Sequence, residues 1–404
     1  MLPIDLFLHR KLNKDGTFRV KCTIDNMKVL LRSYGLAIWY NQIKRDLECS
    51  INGVDFKEDN NLNRFYGIVL SCCIVNDMPT TLVSDFITNI AFDNTKNPVK
   101  DWIDSKEWDR KKRTPELFSS IETKAGFDST LKEALIKKWL ISCYAALVRA
   151  NDDDFWSKGV LILQGKQNLG KTLWYERLMG GNTQWFKRGM IIDVRDKDTI
   201  EQANSFWIVE LDEEEIANKK TLPSMKAYVA DNKNILRKAF AKYKEIIHRK
   251  TMYCATVNHE EFLHDRTGNV RFWTIPVEKI HDTRKIDMQQ LWAEIKEYYK
   301  QGDKWWLEPH EEQLLNESNV KHEVTDSIDD LIGSKFEWES DKILWYEAKS
   351  VTEILMDCGI KEPTQSQKNK AGFVLRRLLK LDRAPDRDSY NVIKYKVPPR
   401  VFKS

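Results

Sequence analysis

Long apolar runs are absent from this 404-residue chain: no stretch approaches the ~18 residues that a membrane-spanning helix needs. The opening MLPIDLFLHRKLNKDG carries charge where a secretory signal would need an uninterrupted apolar segment. Paired cysteines are missing too. The seven thiols (Cys22, Cys49, Cys72, Cys73, Cys143, Cys254, Cys358) are odd in number and include no C-x-x-C. That pattern argues against a disulfide framework and a zinc site, and predicts reduced thiols in a cytoplasm. Glycine (16) and proline (11) are too sparse for a collagen-like or linker-dominated protein. Nor is one sign of charge in large excess. Sixty-five Lys and Arg face 61 Asp and Glu, so total charge alone identifies no nucleic-acid partner. What is present, 42% hydrophobic and 31% charged residues, describes a globular protein long enough for two or three domains.

Along the chain, residues 1–130 read as a polar, helical region, with Val29, Leu30, Leu31, Tyr34, Leu36, Ile38 and Trp39 setting the periodicity. Residues 131–149 repeat Leu135, Trp139, Leu140, Cys143 and Leu147 at helical spacing, a packing face that requires no chemistry. From Asn151 the texture changes. Short apolar runs at 160–163, 206–211, 252–257 and 271–277 alternate with helical stretches and predict an α/β domain with a parallel sheet, residues 131–307 forming the core. Residues 308–347 then carry twelve carboxylates against three lysines, so 308–350 reads as an acidic, solvated connector with some helix. From 363 to 404 the sign reverses, eleven basic residues facing three acidic ones. The order of two helices (VTEILMDCGI and KNKAGFVLRRLLK) and a strand-like SYNVIKYKVP predicts a small winged-helix-like domain over 351–404, suited to duplex DNA or equally to protein docking.

The sharpest motif is Gly165-Lys166-Gln167-Asn168-Leu169-Gly170-Lys171-Thr172, which fits G-x-x-x-x-G-K-[ST] between a predicted strand and a predicted helix. Gly165 and Gly170 let the backbone wrap closely, so that N–H groups around Asn168 point at phosphate oxygens. Lys171 would reach the β- and γ-phosphates of ATP, and Thr172 would offer its hydroxyl to Mg²⁺. The bland alternative is a Gly-rich turn with an exposed lysine. A phosphate loop needs an acidic partner on a neighbouring strand, and Ile208-Val209-Glu210-Leu211-Asp212-Glu213 supplies one. Asp212 suits the metal ligand and Glu213 the activator of water. Glu210, an acid inside an apolar strand, rivals Asp212 for the metal. Asn258, at the end of the next strand, suits a residue orienting the attacking water where that strand lies between the other two. Arg266 and Arg271 follow, and either is suited to touch the γ-phosphate of a neighbouring subunit or to form an ordinary surface ion pair.

Taken together, GKQNLGKT, WIVELDE, ATVNHEEFLHDRTGNVRFW and LWAEIKEYYKQGDKWWL, preceded by WIDSKEWDRKKR, resemble the virulence-associated protein E family of phage and mobile-element P-loop ATPases. The resemblance implies an AAA+-like ATPase related to superfamily 3 helicases, in a hexameric ring that replicates mobile DNA inside a bacterial host. It implies that Lys171 and Thr172 bind nucleotide, Glu210 and Glu213 are the acidic-strand residues, Asn258 the sensor and Arg271 the inter-subunit finger. Relatives often carry a small residue between the two glutamates, where this chain has Leu211-Asp212, so the division of labour among Glu210, Asp212 and Glu213 stays open. Many carry a primase domain as well. The N-terminal region lacks the carboxylates and zinc cysteines of one, so priming or origin binding would fall to a separate protein.

Between the acidic and sensor strands, residues 219–250 hold ten basic residues against two acidic ones. Lys233, Arg237, Lys238, Lys242 and Lys244, interleaved with Tyr243, would track phosphates and stack bases of single-stranded or forked DNA, unless the stretch is a solvated, salt-bridged face. A DNA-stimulated helicase or translocase is the reading these features favour. A nucleotide-dependent loader or switch on DNA, and an ATPase that remodels a protein partner, are its competitors.

Overall fold

The computed structural model describes residues 1–55, 61–152, 155–156, 159–217, 222–231, 233–236, 245–260, 262–263, 269–322, 327–338, 347–381, 383–385, 387 and 389–400. It divides into two compact units, Met1–His322 and Glu323–Ser404.

The larger unit is built on a six-stranded sheet. In chain order its strands are β1 (Ile121–Thr123), β2 (Val160–Gln164), β3 (Phe186–Met190), β4 (Ile208–Leu211), β5 (Met252–Val257) and β6 (Phe272–Ile280), and in space they run β1-β6-β2-β5-β4-β3. All neighbours are parallel except the edge pair β1–β6. β2 and β4 are buried at every position, which is why they read as unbroken apolar runs rather than alternating ones. The expected α/β core is present, with β5 inserted between the strand before the glycine loop and the acidic strand. Helix α1 (Ser129–Arg149) packs beneath the sheet, its first turn capped by the Asp128 carboxylate, which accepts from the N–H groups of Thr130 and Leu131. Helix α2 (Lys171–Arg177) follows β2, the short α3 (Glu213–Ala217) follows β4, and α4 (Met288–Lys300) follows β6.

Four fully buried tryptophans knit these layers together, each donating its indole N–H: Trp139 to the Tyr253 carbonyl, Trp207 to that of Cys143, Trp292 to that of Leu178, and Trp174 to the Ser120 hydroxyl. Each ring therefore contributes its apolar area without stranding its polar edge.

The N-terminal region is not helical throughout. A helix, Ile24–Ser33, ends just before Gly35, whose φ is +65°, and Leu36–Asn41 continues as a strand in a four-stranded sheet. A Cβ on Gly35 would lie 2.2 Å from the Asn52 side-chain oxygen, so the break is enforced by a distant residue as well as by backbone conformation.

Residues 308–350 are not a solvated connector either. Helix Pro309–Asn319 belongs to the larger unit, burying Leu315 and donating from Asn319 Nδ2 to the Phe272 carbonyl at 2.9 Å. Helix Ser327–Lys335 belongs to the smaller unit, where Ile328 and Ile332 are buried beside Phe336, Ile354, Leu355, Leu375 and Tyr395. Not all of their acids face outward: Glu311 pairs with Lys138, and Asp329 is buried and accepts from Arg377 Nη2 at 2.5 Å. The smaller unit continues with strand Glu347–Ser350, helices Val351–Asp357 and Gln365–Leu378, and strand Lys394–Val397 antiparallel to the first.

Candidate active site

The residues from Gly165 to Thr172 form the turn between β2 and α2 at the carboxyl end of the parallel sheet. Asn168 and Gly170 both have left-handed backbone, φ +63° and +84°. Gly165 is required by close approach: a Cβ there would lie 2.5 Å from the carbonyl oxygen of Val277 on β6. Lys171 is buried and folds over the loop, its Nζ donating to the carbonyls of Gly165 (2.5 Å) and Lys166 (2.8 Å) and to Asn258 Oδ1 (3.0 Å). Burial pushes its ammonium below the ordinary lysine range, while the Glu213 and Glu210 carboxylates pull the other way.

The acidic strand distributes its three acids differently. Glu210 is 4% exposed, and its Oε1 accepts from Thr172 Oγ1 at 2.6 Å and from Thr256 Oγ1 at 2.9 Å. Glu213, two residues past the end of the strand, accepts at Oε1 from the Asn258 main-chain N–H (2.8 Å) and at Oε2 from Asn258 Nδ2 (2.6 Å). Asp212 turns aside: its Oδ1 accepts the Glu214 N–H at 2.9 Å and caps α3. Lys171, Thr172, Glu210, Glu213 and Asn258 are thus brought together, and Asp212 stands apart as a helix cap.

Two residues join the site without having been singled out in the sequence. Thr256 is the second hydroxyl on Glu210; its place two residues before Asn258 on β5 is the signal that could have found it. Gln164, the last residue of β2, is buried with its Nε2 on the Asn258 carbonyl and its Oε1 without a partner among the described residues. Beside Leu173, the residue after Thr172, opens a cleft of about 470 Å³ bordered by Trp102, Glu176, Arg177, Thr283 and Gln289.

Arg271 lies at the other end of the sheet. It immediately precedes β6, whose first residue, Phe272, pairs with Val160 at the start of β2, the strand that runs on to Gln164 before the glycine loop turns. At about 3.3 Å per residue the strand alone separates Arg271 from the glycine loop of its own chain by well over 10 Å. Its Nε is buried without a partner among the described residues. Arg266 lies outside the described residues.

Within the basic insert, helix Leu222–Ala230 is followed by an antiparallel strand pair, Lys233–Leu236 against Glu245–His248. The side chain of Lys233, and Arg237, Lys238, Lys242, Tyr243 and Lys244 altogether, lie outside the described residues. Of the basic side chains described in the insert, Lys226 and Arg249 do not face solvent, and Lys250 is half-buried. Lys226 is buried over the Phe272 ring, and Arg249 is buried at the hairpin's base, donating to the carbonyls of Tyr228 (2.7 Å) and Val229 (2.5 Å).

Residues 103–324, more than half of the chain, match the model of the virulence-associated protein E-like domain. The chain belongs to that family. Among solved structures, the A form apo structure of the NrS-1 C-terminal region is similar at a TM-score of 0.48 and 13% identity, covering 92% of this chain and 98% of that one. Another apo structure of the same region gives 0.43 and 12%, with the same coverage. No curated protein matches the chain significantly. No helix among the described residues is long and apolar enough to cross a membrane.

Proposed function

We propose that this virulence-associated protein E-like chain is an ATPase that drives movement along, or unwinding of, DNA during replication of a phage or mobile element in a bacterial cytoplasm. The observation that carries the reading is the convergence of Lys171, Thr172, Glu210, Glu213 and Asn258, from three sequence blocks, on one glycine turn. ATP would lay its phosphates along the Gly165–Gly170 backbone, with the base toward the cleft at Leu173. Lys171 then offsets charge on the β- and γ-phosphates. Thr172 and Glu210 supply the hard oxygens that Mg²⁺ takes alongside phosphates; the ion would neutralise charge at the phosphates being separated. Glu213 Oε2 accepts the proton of the attacking water, and Asn258 fixes the orientation of that carboxylate.

Arg271, remote from its own loop, is suited to serve a neighbouring subunit, as in a hexameric ring. Mixing Arg271→Ala with Lys171→Ala chains tests this: partial recovery of hydrolysis supports service across the interface, and none at intact assembly refutes it. The hairpin insert and the winged-helix-like order of the smaller unit are the candidate DNA contacts, and a primase or origin-binding protein the candidate further partner.

The deciding experiment measures ATP hydrolysis with and without single-stranded and forked DNA, with Lys171→Ala as the blank. DNA-stimulated turnover with release of a strand from the fork supports the motor. Turnover indifferent to DNA removes it and favours an ATPase acting on a protein.

A further inference from the structure

The segment WDRKKRT, whose residues the ATP site does not use, is a short loop with an unusual combination of properties. Lys106, Arg110, Lys111 and Lys112 are exposed, and none has an ion-pair partner among the described residues. Neighbouring cations do: Lys100 and Lys296 both pair with Asp104. The loop is nonetheless rigidly held. Buried Gln289 of α4 donates to the Ile103 and Lys106 carbonyls at 2.8 and 2.9 Å, and buried Gln290 accepts from the Asp109 N–H at 2.8 Å and donates to the Glu107 carbonyl at 3.0 Å. Fully buried Glu294 accepts the N–H groups of Arg113 (2.5 Å) and Thr114 (3.2 Å) and the Thr114 hydroxyl (2.6 Å). Inside the loop, the Arg113 guanidinium grips Asp109 and holds its carboxyl well below the usual range.

Arg110, at the tip, has φ +67°. A left-handed conformation is unfavourable for a residue with a Cβ, and glycine or asparagine would relieve it. An arginine there, followed by two exposed lysines without an ion pair among the described residues, displays charge from a strained backbone position. Cations carried on a preformed turn bind polyanions without the cost of ordering that backbone.

We propose that the loop 106–113 is a preformed contact for the phosphate backbone of a nucleic-acid strand, separate from the basic insert at 219–250. The proposal rests on nucleic acid being the partner and is independent of hydrolysis. Each phosphate-neutralising cation that is removed lowers the salt slope of single-strand binding by about 0.7, so removing three should lower it by about 2. The test titrates a labelled oligothymidylate, without ATP, against the full chain and its R110Q/K111Q/K112Q variant over about 50–200 mM salt. The expected result is affinity about tenfold weaker at low salt, a shallower slope, and ATP turnover without DNA within twofold of the unmodified chain, which reports intact folding. Equal affinity and slope in the two proteins would overturn the proposal while leaving a DNA-binding ATPase standing. Failure of the unmodified chain to bind the oligonucleotide would remove both. A change in self-association with unchanged DNA affinity would assign the loop to protein contact and likewise overturn it.

Discussion

Two buried glutamates in the larger unit look alike and are hydrogen-bonded differently. Glu294, in α4, fills both oxygens: Oε1 accepts from Thr114 and Tyr298 hydroxyls at 2.6 Å each, and Oε2 takes two main-chain N–H groups. Glu210, on β4, also accepts two hydroxyl donors, but both fall on Oε1, and its Oε2 accepts none among the described residues. A carboxylate whose lone pairs are all engaged by the protein is a structural pin. One with an oxygen in reserve, beside the hydroxyl that follows a phosphate-loop lysine, has the valence of a ligand. Burial alone does not separate the two; the number of lone pairs left open does.

The contrast can be broken at its strongest point first. Glu294→Ala strands two main-chain N–H groups and two hydroxyls in the core and should cost about 3–5 kcal/mol, read as a lowered midpoint in urea unfolding. Glu210→Ala should leave that stability within about 1 kcal/mol, because its two hydroxyl donors can turn to other acceptors, while phosphate release falls by about 10²–10³ and demands more Mg²⁺. Equal destabilisation by the two substitutions would erase the distinction. The smallest effect sharpens it: Asp212→Ala should cost about 1 kcal/mol as a missing helix cap and leave turnover within about threefold. A loss of turnover matching that of Glu210→Ala would return the metal to Asp212.

The sequence made the strand, glycine turn and helix legible because their determinants are local: a buried strand, glycines at fixed spacing and a helix start. Glu210 and Glu213 were visible as acids in and after a strand, but their ranking against Asp212 was not. That ranking depends on where β4 stops and α3 begins, and on a register shift between Val209 and Leu211 opposite β3. The helix–strand break at Gly35 depends on Asn52, and the pinning of Arg113 by Glu294 spans 181 residues. Helices Pro309–Asn319 and Ser327–Lys335 were hidden for another reason. Composition counted their acids as solvated, but Glu311 and Asp329 are turned inward against Lys138 and Arg377, partners far away in sequence.

Gly165 carries a lesson for how the motif is read and tested. Its hydrogen is faced by the Val277 carbonyl, a main-chain atom of a strand paired on both sides, so a Cβ there would force backbone to shift. Position 165 is therefore closed to every larger residue before any phosphate arrives. Part of what a pattern search recognises as a nucleotide signature is an imprint of sheet packing, carried by any chain that brings a β6-like strand this close. A Gly165→Ala variant that no longer binds nucleotide would report a displaced strand, and the informative substitutions are those at Lys171 and Thr172, where function and architecture come apart.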